Sequence, residues 1–186
     1  MIDRPRRNRL TPGIRGLVRE TEIQPRNLVW PTFVQEGKNQ RTPIGSMPGV
    51  SRLSIDQLVA DSKKAFELGV PAVALFPAID DSLKNSEGQE SLNPDGLLQR
   101  AVKELKQQVP DLVVITDVAL DPYSSDGHDG LVEDGKILND ETLPFLAGMA
   151  VAQAKAGADV VAPSDMMDGR VEAIRWALDD AGFENV

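Results

Sequence analysis

One pattern recurs four times along this chain and leaves it few folds to choose from. A short run of apolar, β-branched or aromatic residues is followed by a loop and then by a stretch with helical spacing. The runs are residues 28–34, 72–76, 112–118 and 159–162. Each is apolar at consecutive rather than alternate positions, as in strands buried on both faces of a parallel sheet. Four strand–helix units in succession require a parallel α/β architecture with right-handed crossovers. An open doubly wound sheet and a TIM (β/α)8 barrel both meet that requirement. A barrel takes eight units and ~250 residues, so four units within 186 residues cannot close one. Both folds place ligands at the carboxyl ends of their strands.

The helical stretches carry readable ends. Ser54 followed three residues later by Gln57 predicts a capping box, with Ile55, Leu58, Val59 and Phe66 on the apolar face and Gly69 as the stop. Asn93-Pro94 predicts an N-cap with proline at the first helical position, ahead of the stripe Leu98, Ala101, Val102, Leu105 and Val109. A third helix is expected over about 142–156, ending at Gly157, with Pro144 confined to its first turn. A fourth begins near Asp168, buries Val171, Ile174, Leu178 and Ala181, and stops at Gly182. Residues 183–186 would lead into a further strand. Trp30, Trp176, Met166 and Met167 are expected in the core, and the first and fourth strands are expected to be exposed edges.

Charge divides the chain in two. Residues 1–26 hold seven arginines against three acids, a net of +4, and Pro5, Pro12, Gly13, Gly16 and Pro25 interrupt them. With a total of -9, the remainder carries -13. The expected organisation is an arm over 1–26 and an incomplete barrel domain over 27–186. The arm reads either as a disordered basic tail or as an arginine-rich segment that packs on an acidic body. The overall negative charge argues against general nucleic-acid binding. The absence of cysteine excludes disulfides, thiolate zinc sites and a cysteine nucleophile, and a single histidine excludes a two-histidine metal site within one chain. The beginning of the chain lacks the apolar core of a secretory signal, and no segment has the ~18 consecutive apolar residues of a membrane span. The expected location is therefore cytoplasmic.

The strand ends concentrate polar chemistry. After the third strand, Asp117, Asp121, Asp126 and Asp129 fall close together with no lysine or arginine among them. After the fourth come Ser164, Asp165 and Asp168. Like charges gathered on one rim require a cation, a basic neighbour or raised pKa values, and hard oxygen ligands suit Mg²⁺, Ca²⁺ or a monovalent cation. The other reading of the same loop is a solvated string of turns, which Asp-Pro and Asp-Gly form readily. His128 is a candidate base or ligand, or an inert loop residue, and Asp168 a candidate helix cap.

Specific segments resemble a known family, the δ-aminolevulinic acid dehydratases or porphobilinogen synthases. They are Arg4-Pro5-Arg6-Arg7, Ser46-Met47-Pro48-Gly49-Val50, residues 68–73, 117–130 and 156–169, so the resemblance runs along essentially the whole chain. It implies a TIM barrel, here about its first four βα units. It implies an N-terminal arm that embraces a neighbouring subunit in a homo-oligomer, usually an octamer. It also implies condensation of two 5-aminolevulinate molecules to porphobilinogen with loss of two waters, on the route to haem and chlorophyll, and a plastid location if the parent is from a photosynthetic eukaryote. Asp117 and Ser164 would line the catalytic pocket.

Two departures follow from the same resemblance. Zinc-type members carry three cysteines where this chain has Ala119, Asp121 and Asp129. The chain therefore resembles the aspartate-rich, magnesium-associated type, with Asp121 and Asp129 as candidate ligands for Mg²⁺ or a monovalent cation. The family's two Schiff-base lysines, its substrate-carboxylate arginines and its allosteric magnesium glutamate all correspond to positions beyond Val186. The expectation is a chain inactive alone. A noncatalytic short relative acting as a binding or assembly module is the alternative. An unrelated metal-dependent, aldolase-like barrel would share the rim carboxylates but leaves the matched segments unexplained. The isolated chain is expected to be oligomeric, molten or insoluble.

Overall fold

The computed structural model describes residues 2–186. Helix α1 (Pro12–Leu17) lies between two 3-10 turns, Pro5–Arg9 and Pro25–Asn27. Strands β1 (Val29–Gln35), β2 (Arg41–Pro43) and β3 (Ser51–Leu53) lead into α2 (Ile55–Glu67), then β4 (Ala72–Ala78), α3 (Leu97–Gln108) and β5 (Val113–Val118). A small hairpin of β6 (Val132–Glu133) and β7 (Lys136–Ile137) precedes α4 (Asn139–Ala156), β8 (Val160–Pro163) and α5 (Arg170–Asp180).

The main sheet has the order β2-β3-β1-β4-β5-β8. Strands β1, β4, β5 and β8 are mutually parallel and stand in sequence order. Consecutive right-handed crossovers in one direction put every helix on the same face. This excludes the doubly wound alternative, which needs helices on both faces, and matches part of a barrel wall. Burial along β5 alternates accordingly. Val114, Thr116 and Val118 are completely buried under the helices, whereas Val113, Ile115 and Asp117 face the concave side and are half-buried. On that open face Phe33 and Phe76 pack with ring centroids 5.7 Å apart.

The four sequence-expected strands all form, each within two residues of its expected bounds at either end. The short β2 and β3 were not expected. β3 pairs in parallel with Phe33 and Val34 of β1, and β2 pairs antiparallel with β3. The expectation that β1 is an outer strand is therefore corrected: β2 forms that end of the sheet, and β8 forms the other.

Several local expectations are also corrected. No capping box forms at Ser54, because its Oγ accepts from Gln40 N and donates to Asp56 instead, while Gln57 reaches Asn39 and Arg41. Helix α3 begins at Leu97 rather than at Pro94. Asn93 uses its Oδ1 in a local turn to Asp95 N, which leaves Gly96 as the cap. Helix α4 begins three residues earlier than expected, so Pro144 falls in its second turn. Val171 and Trp176 project outward at 64% and 65% exposure, and Met166 is exposed while Met167 is core. Gly169, not Asp168, caps α5. Residues 183–186 turn back rather than extend, held by Arg175 on the carbonyls of Phe183 and Val186. In the arm, the turns and α1 contribute no buried residue, and Ile2, Leu10, Leu17 and Ile23 are all exposed.

Candidate active site

The carboxyl ends of β1, β4, β5 and β8 meet at one rim, which carries the sequence-predicted site residues. Asp117 is the penultimate residue of β5, and Ser164 follows the last residue of β8. The β5–β8 register sets Asp117 beside Ala162, two residues before Ser164. The Ser164 hydroxyl donates to Asp117 Oδ1 at 2.7 Å, so the two expected pocket residues form one hydrogen-bonded pair.

Asp121 and Asp129 belong to a loop that folds back on β5. Asp129 presents its carbonyl to Leu120 N at 3.3 Å, and the Leu120 carbonyl accepts from both Tyr123 N and Ser124 N. Ser124 Oγ accepts from Asp126 N, and His128 Nδ1 accepts from Gly130 N at 3.1 Å. Tyr123 is buried beneath this loop, which pushes its phenol well above the ordinary range.

Three of the four loop aspartates converge. Desolvation, followed by the charges of Asp129 and Asp117, raises the Asp121 carboxyl to about 6. Asp117 is also raised, chiefly by burial, against the Ser164 hydroxyl and the Val118 amide that favour its ionised form. Asp129 contributes to both shifts and to that of Asp165. It is therefore the common neighbour of the rim carboxylates. Asp126 is exposed and takes no part.

Asp165, one of the polar residues after the fourth strand, was given no role from the sequence. It is fully buried, its Oδ1 accepts from Met167 N at 2.8 Å, and its Oδ2 lies 3.4 Å from Arg170 Nε. Its signal was the Ser-Asp-Met-Met-Asp-Gly-Arg stretch itself, where an acid precedes a turn containing Met166 at φ +71°. Beside the carboxylates lies a cleft of about 470 Å³, lined by Gln35, Glu36, Arg52, Ala78, Lys84 and Pro122 among others. A larger groove of about 610 Å³, lined by Trp30, Leu68 and Val70, lies at the amino end of β1, away from this chemistry.

Neighbouring carboxylates suit a hydrated hard cation, since Mg²⁺ is commonly held by one or two carboxylates and keeps several waters. Among the described residues no group of three or more His, Cys, Asp or Glu is arranged as a metal cage. With no cysteine in the chain, zinc has no thiolate ligands here.

A wall of consecutive parallel strands, with helices on one side and polar groups gathered at the carboxyl rim, defines a portion of a (β/α)8 barrel. The chain belongs to the delta-aminolevulinic acid dehydratase family, whose profile matches residues 2–186. A chloroplastic delta-aminolevulinic acid dehydratase of Selaginella martensii is 57% identical over 188 residues, covering 100% of this chain and 45% of the relative. The Bradyrhizobium diazoefficiens dehydratase is 52% identical over 183 residues, covering 98% and 52%. Among solved structures, the Toxoplasma gondii delta-aminolevulinic acid dehydratase (porphobilinogen synthase) in complex with its reaction product porphobilinogen superposes with a TM-score of 0.96. It is 50% identical, covering 100% of this chain and 53% of that one. The chain thus spans about half the length of these relatives. Among the described residues no helix is long and apolar enough to cross a membrane.

Proposed function

We propose that this chain forms the N-terminal half of a porphobilinogen synthase, which condenses two 5-aminolevulinate molecules into porphobilinogen with loss of two waters. The observation that carries this reading is the Ser164–Asp117 pair at the rim of a wall that superposes on a product-bound enzyme over its whole length. Asp117, with a raised affinity for its proton, would hold or release that proton at Oδ1 or Oδ2 as the substrate carbonyl is attacked. Ser164 would keep the carboxyl turned into the pocket. Asp121 and Asp129 would hold Mg²⁺ or a monovalent cation, which when bound would offset the negative charge of the rim beside the second substrate.

The Schiff-base lysines of the family correspond to positions outside this chain. The chain should therefore bind 5-aminolevulinate weakly and make no product. Titration calorimetry with 5-aminolevulinate should give heat in the parent that is lost in Asp117→Ala. Borohydride added with 5-aminolevulinate should leave the mass of the chain unchanged. A trapped adduct would overturn the expectation of inactivity, and equal heats in the two proteins would overturn the site.

The arm supports a second role. Its exposed Ile2, Leu10, Leu17 and Ile23, together with its arginines, would pack on the acidic body of another copy. Homo-oligomerisation through the arm fits that surface, whether the chain acts as part of an enzyme or as a noncatalytic assembly module. Deleting residues 2–24 should lower the oligomeric order measured by light scattering.

A further inference from the structure

We infer that Gln153 is a positioning residue that holds Asp117 in place from behind, through a hydrogen bond that the sheet itself cannot supply. This deepens the reading of Asp117 as a pocket carboxylate and rests on it.

Helix α4 packs Leu146, Met149, Ala150 and Ala154 against the sheet. Gln153 lies among them with no exposed surface. An amide buried there is costly unless its polar atoms are paired. Both ends are: Gln153 Nε2 donates to the Asp117 carbonyl at 2.7 Å, and its Oε1 accepts from the Thr116 hydroxyl at 2.8 Å. The assignment of the two ends follows from chemistry, because a peptide carbonyl accepts and never donates. The amide therefore grips two consecutive residues of β5 from the helix side. The Asp117 side chain points to the opposite, concave face, where Ser164 meets it.

The reason a glutamine is needed lies in the neighbouring strand. Val113 pairs with Ala72 and its N–H reaches the Pro71 carbonyl. In a parallel ladder each such residue donates to one residue before its partner and accepts from one residue after. Advancing this register, Asp117 stands opposite Phe76, and the donor facing its carbonyl would come from position 77. That residue is Pro77, which has no N–H. The regular β4–β5 pairing accordingly stops at Leu75 and Thr116. Gln153 supplies the missing donor at the residue whose side chain enters the pocket.

The test is carbodiimide-driven labelling of carboxyl groups in the full chain at neutral pH, read residue by residue by mass spectrometry, with calorimetry of 5-aminolevulinate binding alongside. Gln153→Met should raise labelling of Asp117 several-fold and leave Asp61 and Asp159 unchanged. Adding Pro77→Ala, which restores a backbone N–H, should return Asp117 to the parent level. A purely structural glutamine would not be rescued by that distant amide. Unchanged Asp117 labelling in Gln153→Met, or failure of Pro77→Ala to restore it, overturns the inference. If Gln153→Met does not fold, Thr116→Val and Gln153→Glu ask the same question, with Thr116→Ser expected to behave as the parent; Asp117 labelling at the parent level in both Thr116→Val and Gln153→Glu overturns it. Absence of 5-aminolevulinate heat in the parent would overturn the proposed function alone, since the labelling decides the role of Gln153 independently.

Discussion

Asp117 illustrates the conflict between stability and chemistry at the scale of a single residue. Its carboxyl is raised by burial. A group that binds its proton more tightly when folded stabilises the fold below its unfolded pKa, and that contribution is lost as pH rises through the folded value. Asp121 acts in the same sense between 3.8 and about 6, whereas Asp56 and Asp80, held down by hydrogen bonds, act oppositely. The informative quantity is thus the difference from a variant. Asp117→Asn keeps an acceptor for Ser164 but cannot ionise. Its melting temperature should exceed the parent's at pH 7, with the gap closing towards pH 3, and it should lose 5-aminolevulinate binding. Gly96 makes a second case, where space rather than charge decides. A Cβ there would lie 2.8 Å from Gln99 Oε1 and 3.1 Å from the Asn93 carbonyl. Gln99 is buried and donates to the Ser91 carbonyl, so it cannot swing clear. Gly96→Ala should cost about 1–3 kcal/mol in urea unfolding, the usual penalty for overpacking.

At the scale of elements, the sheet is secured at its amino end by a side-chain clamp. Lys106 of α3 contacts both Asp159 oxygens and donates to the carbonyls of Pro110 and Leu112, while Asp159 accepts from Val114 N at 2.7 Å. One cluster thereby ties the entrances of β5 and β8. Asp159→Ala would leave the buried Val114 N–H without its acceptor, at a cost of about 1–3 kcal/mol. Hydrogen exchange at Val114 should accelerate more than at Val73 in β4. This clamp was invisible in the sequence, where Asp159 merely opened an apolar run. The strands themselves were legible because they are continuous apolar runs bounded by turns. Helix starts were less so. Ser54 and Asn93 are both good caps by type, but Gln40 and Asp95 compete for their side chains, and such competitors come from folded loops. That Ser164 and Asp117 share one rim followed from strand order; their hydrogen bond did not. Gln153 was missed because one glutamine in an alanine-rich helix looks like a tolerated surface residue until the register places it opposite Pro77.

At the scale of the whole molecule, helices α2 to α5 lie on one side of the sheet and the concave side is uncovered. Val160 on β8 is 40% exposed and that strand ends the sheet. Unpaired edges and open apolar faces favour association. Sedimentation of the 186-residue chain should show oligomers rather than monomers. The order of the strands carries a further consequence, for the sequence of events during synthesis. Each βα unit packs on the unit made just before it, so most of the wall depends on contacts between chain neighbours. Parallel pairing across such crossovers, as of Val29 with Ala72 and Ala72 with Val113, is slow to form, but a growing chain can add the units one at a time from its beginning. Because Asp117, Asp121, Asp129 and Ser164 all lie on this wall, the acidic side of the pocket would be assembled by the time Val186 leaves the ribosome.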